Sequence, residues 1–188
     1  MSRVVVPLVV GFEQIEALTV VDILRRAGID VVTASVAENP VASSHGVRVE
    51  ADTSLAAVRE DSDVAMVAIP GGPGTPKLTE SADLRALVER LAGEGKEVAA
   101  ICAAPSVLAA FGLLEGKRAT SFPAVRDKLE AAGVTYEEAP VVRDGRITTS
   151  RGPGTAMDFA LALVAILEGE AKRDEVAAGL MRPETANA

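Results

Sequence analysis

Cys102 stands between an apolar run, Glu97-Val98-Ala99-Ala100-Ile101, and a helix-like segment beginning near Ala103, and the chain has no second cysteine. A buried strand that hands over to a helix puts this residue at the carboxyl end of a sheet, where open α/β sheets bind ligands. At that spot the unpaired N–H groups and partial positive charge of the helix favour thiolate over thiol and lower the pKa. Such a thiolate attacks carbonyl carbon or is oxidised by peroxide. Ala103 and Ala104 leave room beside it for a ligand.

Two further segments carry groups that this chemistry needs. The turn Pro70-Gly71-Gly72-Pro73-Gly74 follows a strand ending at Ile69, and glycines at Gly71 and Gly72 let the backbone approach a ligand and aim N–H groups at negative charge. It is a candidate oxyanion hole. It is not a phosphate cradle, because no Lys-Ser or Lys-Thr closes it and no helix opens directly from it. After Gly11, the run Phe12-Glu13-Gln14-Ile15-Glu16 brings carboxylates to the same sheet edge. One of them could reach the cysteine and donate a hydrogen bond as the protonated acid, or shuttle a proton. The residues alone favour a dipole-complementing role in the first helical turn for Glu13. His45, the lone histidine, lies in the polar loop Ser43-Ser44-His45-Gly46 and reads as a solvated residue that could still face the site. One histidine and one cysteine make no zinc-like cluster, and the acidic residues are not spaced as a calcium loop, so no metal is expected.

These groups need a sheet whose strand ends converge. Val4-Val5-Val6 leads into a helix through Ile15, Leu18, Val21, Ile23 and Leu24 that stops near Gly28, and a strand from Ile29 to Val36 follows at once. Strands are predicted at 63–69 and 97–101, with a helix over 83–91 between them. This alternation predicts an α/β, flavodoxin-like, doubly wound and mostly parallel sheet with helices on both faces. Antiparallel excursions are expected around Gly46 and over 140–150, where Asp144-Gly145 supplies a hairpin turn. A long helix is predicted from about 155 to 168, then a more polar one after Gly169 and a frayed end. Pro7 conflicts with a central strand, and the first strand is expected to end there.

Composition narrows the function classes. A length of 188 residues and 48% hydrophobic content fit one domain, spanning residues 1–188, with a substantial core. Net charge of −8, aromatic content of 3% and the lack of a Lys/Arg stripe argue against stable nucleic-acid binding. A single cysteine, a start directly in a strand-like run and apolar stretches too short for a bilayer make a reducing cytoplasm the expected home, with no membrane segment.

The constellation resembles the ThiJ/PfpI superfamily, in the branch that holds bacterial YajL and the parkinsonism-associated DJ-one protein. The motifs that carry the resemblance are Glu13-Gln14-Ile15-Glu16, the run from Val21 to Gly28, Pro70-Gly71-Gly72, the run from Ala99 to Pro105, and Ser150-Arg151-Gly152-Pro153-Gly154-Thr155. The resemblance implies a homodimer whose elbow cysteine, Cys102, oxidises readily to sulfinic acid with protonated Glu16 hydrogen-bonded to it. It implies backbone donors at Gly72 and Ala103, and a pocket wall from Arg151, Pro153 and their loop. It also implies cofactor-free glyoxalase or deglycase activity on 2-oxoaldehydes such as methylglyoxal or their adducts, or else redox-regulated chaperoning. Where some members carry a histidine near the cysteine, this chain has Phe122, so a Cys-His peptidase pair is unsupported. His45 replaces a frequent arginine, and Ser43 replaces a second oxidisable cysteine.

Overall fold

The structure is a computed structural model and describes residues 3–181. The frayed end expected from the sequence lies outside the described residues. The first unit runs from strand β1 (Arg3–Leu8) through helix α1 (Gln14–Arg26) to β2 (Asp30–Ser35). Glu13 caps α1, Arg25 and Arg26 occupy its last turn, and Gly28 at φ +79° turns the chain back toward the sheet.

A short antiparallel pair follows, β3 (Val41–Ala42) with β4 (Arg48–Val49), then β5 (Thr53–Ser54), α2 (Leu55–Val58) and β6 (Val64–Ile69). Helices α3 (Thr75–Glu80) and α4 (Ala82–Gly93) lead to β7 (Glu97–Ile101) and α5 (Pro105–Ala110). Next come β8 (Arg118–Ala119), a 3-10 turn over Pro123–Val125, α6 (Arg126–Ala131) and β9 (Thr135–Tyr136). The hairpin β10 (Val141–Asp144) and β11 (Ile147–Ser150), then α7 (Ala156–Glu168) and α8 (Glu170–Gly179), complete the order.

The main sheet has the order β10-β11-β7-β6-β1-β2-β5, and every neighbouring pair is parallel except β10 with β11. This is the mostly parallel flavodoxin-like arrangement that strand-helix alternation predicts. Side chains alternate along each strand between two cores. Val4, Val6, Leu8, Met66, Ala99 and Ile101 pack on the face covered by α1, α7 and α8, while Val5, Val67, Ile69, Val98 and Ala100 face α2, α4 and α5. From β1 the chain winds first to β2 on one side and later to β6 on the other, so the carboxyl ends of β1 and β6 flank a switch point of the kind that binds ligands.

Two expectations are corrected. Strand β1 does not end at Pro7 but runs through it, in register with Ala34 of β2. The ladder with β6 stops at Val5, so Pro7 falls where that side of the strand has no partner to bond. The hairpin over 140–150 is antiparallel as expected, but it is no excursion, because β11 pairs with β7 residue by residue from Ile147 to Ser150 and belongs to the sheet.

Candidate functional site

Cys102 directly follows β7 and has φ +66°, a left-handed conformation that a non-glycine residue adopts only when its surroundings impose it. Two backbone hydrogen bonds do so. The Cys102 N–H donates to Ser150 O at the end of β11 (2.9 Å), and the Phe122 N–H donates to Cys102 O (2.8 Å). Here the sequence expectation shifts: the helix begins at Pro105 rather than Ala103 and is only six residues long. Its dipole acts weakly at the sulfur.

The turn after β6 supplies the other wall. Gly71 N–H donates to Glu16 Oε2 at 2.8 Å, and Gly71 O accepts from Glu13 N–H at 2.9 Å. A Cβ on Gly71 would sit 2.8 Å from both the Ala103 nitrogen and Cys102 Cβ. Gly72, at φ +110°, would drive a Cβ onto Gly11 O and the Glu13 nitrogen. Only glycine lets the first strand's loop, this turn and the cysteine elbow meet.

The two acidic residues divide their roles by helical position. Glu13 is the N-cap, and its Oε2 accepts the Glu16 N–H at 2.8 Å. Glu16, three residues on, turns inward and is fully buried, with one oxygen held by Gly71. Its other oxygen, Oε1, has no hydrogen-bond partner of good geometry, although the carboxyl group couples to Cys102. Burial raises its pKa from 4.5 to about 7, opposed by the Cys102 and Gly71 hydrogen bonds and reinforced by the charge of Glu13.

The thiol pKa contradicts the sequence expectation in direction. Burial first, and then the charge and hydrogen bond of Glu16, push Cys102 up to about 12, while N–H groups of Ala103 and Gly72 directed at the sulfur pull it down. The two groups titrate as a pair. With Glu16 raised to about 7 and Cys102 to about 12, the interval between them leaves one proton for the two groups. With that proton on Glu16, the thiolate accepts from three donors: Glu16, Gly72 and Ala103. This is the reactive form.

The remaining residues singled out in the sequence sit around the rim. His45 is exposed, with Nδ1 3.2 Å from Gln14 Nε2 and 3.0 Å from Ser44 Oγ, and it makes no hydrogen bond to Cys102 or Glu16. Its loop is tied to the site through Ser44 N–H, which donates to Phe12 O. Arg151 and Pro153 follow β11 at the same sheet edge. Their loop reaches the elbow indirectly, because Gly152 lies against the Phe122 ring. Among the described residues no group of three or more His, Cys, Asp or Glu side chains is placed to hold a metal ion, and no helix is long and apolar enough to cross a membrane.

Sequence reasoning missed a cleft of about 500 Å³ between α3 on one side and α5 with α6 on the other. Gly72 and Ala103 line it, so it opens onto the same peptide groups whose N–H bonds reach the sulfur. Thr75, Thr79, Glu80, Ser106 and Lys128 make up its polar lining.

A doubly wound α/β domain with a strained cysteine elbow and a buried carboxyl beside it defines a recognisable class. The model of the DJ-1/PfpI family matches residues 2–166, and the chain belongs to that family. It is 41% identical over 183 residues to protein DJ-1 homolog A of Arabidopsis thaliana, covering 96% of this chain but 46% of that protein. The chain thus spans less than half the length of that relative. It is 37% identical over 164 residues to glutathione-independent glyoxalase DJR-1.2 of Caenorhabditis elegans, covering 87% of each. The crystal structure of Drosophila melanogaster DJ-1beta superposes with a TM-score of 0.92 at 41% identity, covering 97% of this chain and 100% of that one.

Proposed function

We propose that this protein is a cofactor-independent glyoxalase and deglycase acting on 2-oxoaldehydes such as methylglyoxal or on their adducts. The observation that carries the reading is an elbow sulfur set against a buried carboxyl and two backbone donors. The Cys102 thiolate attacks the aldehyde carbon; the C–S bond forms and the carbonyl π pair moves to oxygen, which takes the proton from Glu16. Glu16, now a carboxylate, removes the hydrogen on that carbon and returns it to the neighbouring carbon, while the hemithioacetal hydroxyl proton passes to the ketone oxygen, so the ketone becomes an alcohol and the hemithioacetal a thioester. Water hydrolyses the thioester, so methylglyoxal plus water gives lactate and the free thiol is restored. A Caenorhabditis elegans relative whose name states glutathione-independent glyoxalase supports this reading.

The test is methylglyoxal consumption with lactate detection, metal-free and without glutathione, in wild type, Cys102→Ser and Glu16→Gln. Turnover in reduced wild type and loss in both variants is the expected result; full turnover in Cys102→Ser would end the reading. One observation favours a second reading, a peroxide sensor or redox chaperone: Gly72 and Ala103 N–H groups point at the sulfur itself, where they would hold oxygens added to it. We further propose a homodimer in a reducing cytoplasm. Its support is the exposed apolar set Ile15 and Leu18 on α1, Val47 beside β4 and Met157 on α7.

A further inference from the structure

The cleft between α3 and the α5–α6 pair is far larger than a three-carbon aldehyde requires. At about 500 Å³ it falls in the range that holds drug-sized ligands. Gly72 and Ala103, whose N–H groups point at the sulfur, are part of its lining, so a molecule reacting at Cys102 has the cleft beside it.

The polar groups there are specific in what they offer. Thr75 Oγ1 donates its proton to Gly72 O (2.7 Å) and Ser106 Oγ donates to Ala103 O (2.7 Å), so toward a ligand both hydroxyls are acceptors. Glu80, at the end of α3, is an exposed carboxylate acceptor. Against these stands one cation in the lining, Lys128 on α6, exposed and, among the described residues, in no ion pair. Acceptors on both walls, Thr75 and Glu80 from α3 and Ser106 from α5, with a single cation on α6, complement a group with N–H donors and a carboxylate.

From this we infer that the cleft is a subsite for the amino-acid half of a carbonyl adduct, with Lys128 selecting its free carboxylate and Thr75, Ser106 and Glu80 accepting from its amide N–H. The inference rests on the glyoxalase and deglycase reading and names its substrate class: adducts of methylglyoxal on an N-acylated amino acid or peptide end, such as a cysteine hemithioacetal. In the site the adduct's own C–S bond breaks, its sulfur takes the hydroxyl proton and leaves as free thiol, and the aldehyde so delivered reacts at Cys102. Adduct plus water gives thiol plus lactate.

The experiment compares hemithioacetals of methylglyoxal with N-acetylcysteine and with N-acetylcysteine amide, at matched free methylglyoxal, following lactate and free thiol. Wild type should favour the carboxylate form in kcat/KM by roughly two- to fivefold, as an exposed ion pair allows. The preference should shrink at high salt. Lys128→Ala should abolish it and Lys128→Glu should invert it, while Lys172→Ala on α8 should keep it. Equal rates for the two adducts in wild type, or a preference that survives Lys128→Ala, would overturn the subsite alone. No turnover of either adduct or of free methylglyoxal would overturn the enzyme reading together with it.

Discussion

Replacing Glu16 by Gln should stabilise the protein above pH 7 and leave its stability unchanged near pH 4.5. Burial raises the Glu16 pKa from 4.5 to about 7 in the folded chain. Between those values the folded protein holds a proton that the unfolded chain has released, so stability falls as pH rises through the window and stays at its lower level above pH 7. A gap from 4.5 to about 7, at about 1.4 kcal/mol for each tenfold change, amounts to roughly 3 kcal/mol. Glutamine mimics the protonated acid, because its oxygen can accept the Gly71 N–H and its NH₂ can donate toward Cys102, but it does not titrate. The variant should therefore match wild type at pH 4.5 and exceed it by about 3 kcal/mol at pH 8. Urea denaturation of reduced protein at both pH values reads this directly, since titrating groups outside the Glu16–Cys102 pair cancel in the comparison. A Gln variant no more stable than wild type at pH 8 would refute the claim that burial holds this carboxyl near neutrality.

The shared proton makes a second prediction: iodoacetamide alkylation of Cys102 should rise with a midpoint near pH 7 and then stay level to about pH 10, because the last proton of the pair leaves only near pH 12. A rate that keeps climbing tenfold per pH unit to pH 9 would show an independent thiol. Gly72→Ala forces a side chain onto Gly11 O at φ +110° and should cost about 3 kcal/mol, read as a lower urea midpoint or a failure to accumulate folded protein. A variant of wild-type stability would mean that the first loop and the glycine turn are not in contact. Tyr136→Phe removes the hydroxyl that donates to Ser121 O at 2.8 Å and should lower stability by about 1 kcal/mol with an unchanged denaturant slope.

The parts of this protein that were legible in its sequence are those governed by local periodicity. The apolar spacing through Ile23 and Leu24 and the stop at Gly28 mark α1, and the run from Glu97 to Ile101 marks a buried strand with the cysteine at its carboxyl end. What escaped depends on who meets whom in three dimensions. The direction of the thiol pKa is decided by burial and by a carboxyl 86 positions earlier in the chain, so a local argument from the helix terminus points the wrong way. Pro7 is tolerated because of where the β6 ladder stops, a matter of register. The cleft gathers side chains from α3, α5 and α6, and no spacing in the sequence announces it. Glu13 and Glu16 are alike as residue types, and only the capping geometry separates the one that closes the helix from the one that faces the sulfur.

The elbow explains why such a small set of groups suffices. A left-handed cysteine costs on the order of 1–3 kcal/mol and persists only if its surroundings compensate. Here the compensation comes from Ser150 O, at the end of β11, and from the Phe122 N–H, both supplied from after β7 in the chain. With the backbone pinned from that direction, the sulfur is held between the Gly72 and Ala103 N–H groups and the Glu16 carboxyl. Those same groups would serve an oxyanion during turnover or an oxygen bound to sulfur after oxidation, but not both at once. Turnover and oxidation are therefore competing occupations of one set of atoms, and a single cysteine with no resolving partner in the chain has no internal disulfide by which to pass from the second back to the first. The two functional readings thus differ in what reaches Cys102 first, and the open cleft at Gly72 and Ala103, with room for far more than a peroxide molecule, weighs toward a carbon substrate.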